Sequence, residues 1–224
     1  MEGLVRDQAD GLRRLMAANT ARRITLVDGA AVAGPCSVGR NLAAALMQQG
    51  REVLLLDERC GPQQAPPAHG GRLVLVDAVP DSSGALSPLA ASADHIVVVC
   101  AARSEAITQT YLCIKKLHYA HALASLRVLV DEAVDPDQAK CLLANLAATG
   151  SRYLGMVLAP AGFVRADPFT AQARRLDLSV VQAFRASPAA QDFLRIAADL
   201  LAWPCLAAAA HRPVPLSGER AGLH

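Results

Sequence analysis

Aromatic side chains make up only 4% of the 224 residues, with a single tryptophan, so alanine, leucine and valine have to build the interior. The six cysteines (Cys36, Cys60, Cys100, Cys113, Cys141, Cys205) contain no C-x-x-C pair. Several lie in apolar runs, as buried free thiols do. No disulfide framework is expected, and a cytoplasmic compartment follows. No apolar stretch approaches the ~20 residues needed to span a bilayer. The formal net charge is only +2 and no basic tract stands out, which gives direct nucleic-acid binding little support. Glu2, Arg6, Asp7, Asp10, Arg13 and Arg14 crowd the start of the chain, unlike a signal peptide.

What is present is a long supply of aliphatic residues, 53% of the chain being hydrophobic. The length fits one domain, which hides roughly 70% of its unfolded surface. Near-continuous Val, Leu and Ile runs predict strands at 23–27, 52–56, 72–76, 95–100, 126–130 and 153–159, each covered on both faces. Helices are predicted near 37–49, 104–122, 136–148, 165–175 and 187–202. Asp135 caps the third and Pro136 opens it. Ile107, Tyr111, Ile114 and Leu117 form a helical stripe in the second. Alternating strands and helices imply right-handed crossovers and an α/β fold with a doubly wound, mostly parallel sheet.

Three segments fall outside that alternation. Residues 4–16 read as a short amphipathic helix with Leu4, Leu12, Leu15 and Met16 as its apolar members, followed by a linker over 17–22. Gly11 inside it costs about 1 kcal/mol relative to alanine, so the helix is expected to order only against a partner or the domain. Residues 59–71 are a loop rich in proline and glycine. The tail 204–224 has the composition of a disordered terminus. The domain proper is therefore 23–203.

The segment Val27-Asp28-Gly29-Ala30-Ala31-Val32-Ala33-Gly34-Pro35-Cys36-Ser37 joins the first strand to the first helix, where a phosphate-binding loop would be. Such a loop needs a lysine for the β- and γ-phosphates and a hydroxyl for magnesium. Pro35 and Cys36 stand in those two places. Proline also removes a backbone N–H from the cradle, and cysteine is a poor partner for an ion that prefers oxygen.

This loop, with Asn41-Leu42-Ala43-Ala44-Ala45-Leu46 and Gly50-Arg51-Glu52-Val53-Leu54-Leu55-Leu56-Asp57, resembles the MinD/ParA class of deviant-Walker ATPases, whose loop reads G-K-G-G-V-G-K-T. In that comparison Ala30 and Pro35 replace the lysines, Cys36 replaces the threonine, and Gly29 and Gly34 survive. Asp7-Gln8-Ala9-Asp10-Gly11-Leu12-Arg13-Arg14-Leu15 is similar to the D-Q-A-x-G-L-R-R-L arm of the FlhG/FleN regulators of flagellar number. The helix from Ala106 to Ala122 and the turn Ser187-Pro188-Ala189-Ala190 also match that family. The resemblance covers most of residues 5–202, with 59–71 as a shortened bypass.

The resemblance implies a pocket formed by Gly29, Ala30, Gly34, Pro35, Cys36 and Ser37, with Asp57, Arg59, Asp77 and Asp131 around it. Asp57 matches the first acid of the family's D-x-D switch, and Arg59 stands at the second. Asp77 matches the Walker B acid, the one group left in place to see magnesium. Asp131 replaces the base-contacting asparagine. Phosphoryl transfer is catalysed mostly by positioning and positive charge. The expectation is therefore a pseudo-ATPase that needs no cofactor, ATP and magnesium entering only if the pocket is live. Asp57 and Asp77 are read first as strand-end carboxylates capping turns. The arm residues Asp7, Gln8, Gly11, Leu12, Arg13, Arg14 and Leu15 are expected to engage an FlhF-like signal-recognition-type GTPase and stimulate it, as a helix docks in a groove. The family also restrains a flagellar transcription regulator. A monomer is expected, at the cell pole through its partner. The run Leu206-Ala207-Ala208-Ala209-Ala210 has no basic face, so a MinD-like membrane helix is not supported.

Two further patterns compete. Tyr111 and Lys115 match the Y-x-x-x-K pair of nicotinamide-dependent short-chain dehydrogenases, but Gly29-x-x-x-x-Gly34 fits no dinucleotide loop. His118 and His121, with Cys113 on the same helix, lack a third or fourth metal ligand and read as surface or packing residues.

Overall fold

A computed structural model of the chain describes residues 22–30, 37–61 and 72–204. The helix expected over 4–16, loop residues Gly34, Pro35 and Cys36, most of the 59–71 segment and the tail from 205 lie outside them.

Six strands form one sheet: β1 (Arg22–Asp28), β2 (Val53–Asp57), β3 (Leu73–Ala78), β4 (His95–Ala101), β5 (Ser125–Ala133) and β6 (Val157–Arg165). Their order is β2-β3-β1-β4-β5-β6, and each neighbouring pair is parallel. All six residues of β3 are buried, as expected of a strand covered on both faces.

The helices are α1 (Ser37–Gln48), α2 (Pro88–Ala91), α3 (Ser104–His121), α4 (Pro136–Leu154), α5 (Pro168–Arg175), α6 (Val180–Ala183) and α7 (Pro188–Ala202). A 3-10 turn (Glu58–Cys60) follows β2. Four helices open on one signal, a Ser or Asp cap before a proline: Ser87-Pro88, Asp135-Pro136, Asp167-Pro168 and Ser187-Pro188. Each cap side chain accepts a backbone N–H of the first turn, and the proline removes a donor that would have had no partner.

The helices cover both faces of the sheet. On one, Leu26, Leu75, Val97 and Leu129 pack with Leu42 and Leu46 of α1 and Phe193 and Ile196 of α7. On the other, Val27, Val76, Val98 and Val130 pack with Ile114 and Leu117 of α3 and Leu142 and Leu146 of α4. These are the two sides of a doubly wound sheet.

The one-turn helices α2 and α6 were not expected, α5 begins at Pro168 rather than 165, and one longer stretch departs from the sequence reading. The helix expected over 136–148 runs on to Leu154, so the last strand is Val157–Arg165 rather than 153–159. Gly150 is not a stop. It is a close-packing point, where an added Cβ would come within 2.9 Å of Leu158 Cδ1. The true end is Gly155, in the left-handed region at φ 63°. Pro160 then falls inside β6, beside a register shift. β6 is an edge strand, where a proline is tolerated.

The start of β1 and the end of α7 meet at the N-terminal edge of the sheet. Arg22 donates to the carbonyls of Trp203 (3.0 Å) and Leu201 (3.3 Å). Arg127 stacks 4.0 Å over the Trp203 ring. Among the described residues no helix is long and apolar enough to cross a membrane.

Candidate functional site

The opposite, C-terminal edge carries a row of carboxylates. β1 ends at Asp28 and β2 at Asp57, Asp77 is the next-to-last residue of β3, and Asp131 lies near the end of β5. The chain leaves β1 toward one side of the sheet and β3 toward the other, so the strand order reverses beside β1. Open parallel sheets bind ligands at such a reversal, outside the carboxyl ends of the strands.

Asp77 lies beneath the first turn of α1. An added Cβ at Gly39 would stand 3.8 Å from its Oδ2 and 3.4 Å from Leu26 Cδ1. Asp77 is 3% exposed. Its ion-pair partner is Arg59, whose Nη1 lies 2.9 Å from Asp77 Oδ2 and 3.5 Å from Asp57 Oδ1. The same Asp57 oxygen accepts the Arg59 backbone N–H at 3.0 Å, which caps the 3-10 turn. Asp57 and Asp77 face each other in register across β2 and β3. Arg59 thus bridges two carboxylates that would otherwise repel.

Arg59 also borders a cavity of about 410 Å³ on the α3 side. Asp28, Gly29 and Ala30 form one wall, Val79, Pro80 and Asp81 a second, and Gln109, Leu112 and Lys116 a third. The first wall is set by a local turn. Ala30 N donates to Asp28 Oδ1 at 3.0 Å and Gly29 N to Val99 O at 2.9 Å. The second is a loop closed by Asp81, whose Oδ1 accepts from Ser83 N, Ser83 Oγ and Ala85 N. Those bonds, led by the Ser83 hydroxyl, hold the Asp81 carboxyl below the usual range. Glu58 ties the 3-10 turn to this loop, accepting from Ser87 Oγ and from Val79 N at 3.4 Å.

Asp131 stands apart, two strands over from β1. Burial pushes its carboxyl up to about 6, against the N–H of Glu132, which donates to Oδ1 at 2.9 Å. Glu132 itself sits at φ 58°, an uncommon conformation for a side chain other than glycine or asparagine.

No family profile matches the chain. The antiactivator FleN of Pseudomonas aeruginosa is 26% identical over 132 residues, which cover 59% of this chain and 47% of FleN. The chain thus spans about half the length of that relative. The MinD cell division protein of Aquifex aeolicus superposes with a TM-score of 0.61 at 14% identity, over 82% of this chain and 98% of MinD. MinD of Pyrococcus horikoshii, solved with Mg-ADP, superposes at 0.58 and 15% identity, over 81% of this chain and 96% of its own. The structural likenesses show the fold. This chain has the MinD/ParA fold and is similar in sequence to FleN.

The likeness to MinD, which was solved with Mg-ADP, would imply ATP and magnesium at this edge, and the carboxylates present do not fit the metal. Magnesium takes near-octahedral oxygen ligands. Here Asp77, the residue expected to see it, is turned onto a guanidinium, and Asp57 shares that cation while capping a turn. The reading of both acids as turn caps holds for Asp57 and gives way to the ion pair for Asp77. Gly29, Ala30 and Arg59 come together at the cavity. Ser37 begins α1.

The competing patterns fall elsewhere. Tyr111 lines a groove between α3 and α4 with Ile107, Gln138, Cys141 and Leu142, on neither wall of the Arg59 cavity. Lys115, one turn on, is exposed and lines neither. His118 Nδ1 lies 2.9 Å from Leu123 O, and His121 Nε2 accepts from Leu86 N at 2.9 Å, so both rings serve the backbone. Among the described residues no cluster of three or more His, Cys, Asp or Glu could hold a metal ion. The thiols divide between buried Cys100, half-buried Cys113 and exposed Cys60 and Cys141. Burial drives Cys113 up to about 11.

Glu58, Gly84 and Lys116 are absent from the residues picked out by sequence. Gly84 has φ +92°, and an added Cβ would lie 2.6 Å from the Lys116 backbone, so the 79–87 loop rests directly on α3. The Asp81-Ser82-Ser83-Gly84 run carries a turn signature that points to that loop.

Proposed function

We propose that this chain regulates the number and placement of flagella as a pseudo-ATPase. It binds an FlhF-like GTPase through Asp7, Gln8, Gly11, Leu12, Arg13, Arg14 and Leu15 and stimulates its GTP hydrolysis. The observation that carries the reading is the Arg59–Asp77 ion pair, which sets a fixed cation against the acid that an ATP cycle would need for magnesium. The sequence adds the loss of both loop lysines at Ala30 and Pro35. The Asp7–Leu15 arm supports the partner, since its leucines suit a groove and its arginines suit phosphate or carboxylate. The name of the FleN relative, an antiactivator, supports a second role, restraint of a flagellar transcription regulator. The protein works as a monomer in the cytoplasm and reaches the pole through its partner.

The test is GTP hydrolysis by an FlhF-like GTPase with and without this protein. Gln8→Ala and Arg13→Ala abolish the stimulation, whereas Asp77→Asn leaves it intact. Unchanged stimulation in both arm variants refutes the arm assignment, and a large loss with Asp77→Asn points to a live nucleotide pocket. Calorimetry with MgATP is expected to give no binding at micromolar concentrations, and phosphate release no turnover.

A further inference from the structure

We propose that Arg59 is a tethered counter-ion that has taken the place of a divalent metal between Asp57 and Asp77. It fixes this end of the sheet in one arrangement whatever nucleotide is present. The inference rests on the ion-pair geometry and not on the arm.

The strand register creates the need for a cation. Asp57 and Asp77 are direct partners on adjacent strands, so both carboxylates point to one face. Asp77 is almost wholly buried there. Two carboxylates so placed raise each other's cost of ionisation unless a positive charge lies between them. One guanidinium nitrogen, Nη1 of Arg59, reaches both. Arginine stays protonated throughout the accessible pH range, so this cation cannot be lost to a chelator or to dilution.

The tether is short and held at several points. Arg59 follows Asp57 by two residues and its own N–H is bonded to the Asp57 side chain. Gly61, at φ 114°, closes the turn by donating to Glu58 O at 3.2 Å. The Glu58 side chain in turn holds Ser87 and the N–H of Val79, the second residue beyond Asp77. The turn after β2 and the loop after β3 are therefore joined by Arg59 and Glu58, two side chains one residue apart. A tethered group competes at an effective concentration in the millimolar range or above, set by its short linker. Free magnesium meets both that competition and the cost of its own dehydration.

The experiment is a titration of the full-length protein with Mn²⁺ alone, read by electron paramagnetic resonance, with thermal unfolding in Mn²⁺ and in EDTA. Wild type shows no saturable Mn²⁺ binding in the low millimolar range, and its unfolding temperature is the same in both buffers. Arg59→Ala and Arg59→Gln each bind Mn²⁺ roughly tenfold or more tightly than wild type, and Mn²⁺ raises their unfolding temperatures. Adding Asp77→Asn to either removes the gain. Arg59→Lys behaves as wild type. The inference is overturned if wild type binds Mn²⁺ as tightly as the variants. It is equally overturned if neither Arg59→Ala nor Arg59→Gln gains affinity, including by failing to fold in either buffer.

Discussion

Gly29 lies against Thr110: a Cβ added at Gly29 would stand 2.5 Å from the Thr110 hydroxyl oxygen and 2.8 Å from the Val99 carbonyl oxygen. Thr110 is fully buried on α3, so neither neighbour has room to withdraw. Gly29→Ala is therefore expected to lower stability by about 1–3 kcal/mol, measured by urea unfolding. Thr110→Ala on that background recovers only part of the loss, because the Val99 carbonyl remains in the way. Retention of this loop glycine thus has a packing cause that holds without any phosphate.

Asp192 is a carboxylate 1% exposed that accepts from the backbone N–H of Arg165 at 3.0 Å, from Arg165 Nε at 2.8 Å and from Arg195 at 2.9 Å. It ties α7 to the end of β6. Asp192→Ala is expected to cost about 3 kcal/mol, because a buried acceptor serving several donors is lost. The Arg195 side chain is half exposed, so Arg195→Ala is expected to cost well under ~1 kcal/mol. Chemical denaturation of the two variants separates the cases.

Asp131 has a pH signature of definite sign. Its carboxyl rises from 3.8 to about 6 on folding, mainly through burial. Between those values the folded chain holds a proton that the unfolded chain has released. Stability contributed by this site is therefore greater at pH 5 than at pH 7, falling as pH rises toward 6. Asp131→Asn is expected to flatten that slope and to gain on the order of 1–2 kcal/mol at pH 7. Unfolding free energies at several pH values across this window check both.

Trp203, the single tryptophan, has Arg127 over its face at 4.0 Å and His95 at its edge with ring centres 5.2 Å apart. Burial holds His95 below its usual 6.5. Trp203 emission is therefore expected to titrate at a midpoint below 6.5, and His95→Gln to abolish the transition. Because the folded state favours the neutral ring, stability from this site is present above 6.5 and is lost as pH falls below it. Arg127→Ala shifts the emission maximum without removing the titration.

The positions of the first five strands were legible because their Val, Leu and Ile runs leave little alternative to a parallel sheet, whereas the sixth was displaced by the longer α4. Helix starts at Asp135-Pro136 and Ser187-Pro188 were legible because a cap and a proline act through local chemistry. The end of α4 was not, since what carries the helix past residue 148 is the packing of Gly150 against Leu158, which the sequence alone does not show. Helices of a single turn, such as Val180–Ala183, are too short for a period. At the site, Asp57 and Asp77 were recognisable as strand ends. The reach of Arg59 to Asp77 was not, because it depends on the 3-10 turn that Asp57 and Gly61 impose.

Arg22 opens β1 at the edge remote from Asp77, with Trp203 beside it. Asp77 lies level with Leu26, four residues beyond Arg22 on β1, so at ~3.3 Å per residue roughly 13 Å of strand separates that entry point from the paired acids. Strand β1 thus joins the Arg22–Trp203 contact at one edge of the sheet to the carboxylates at the other.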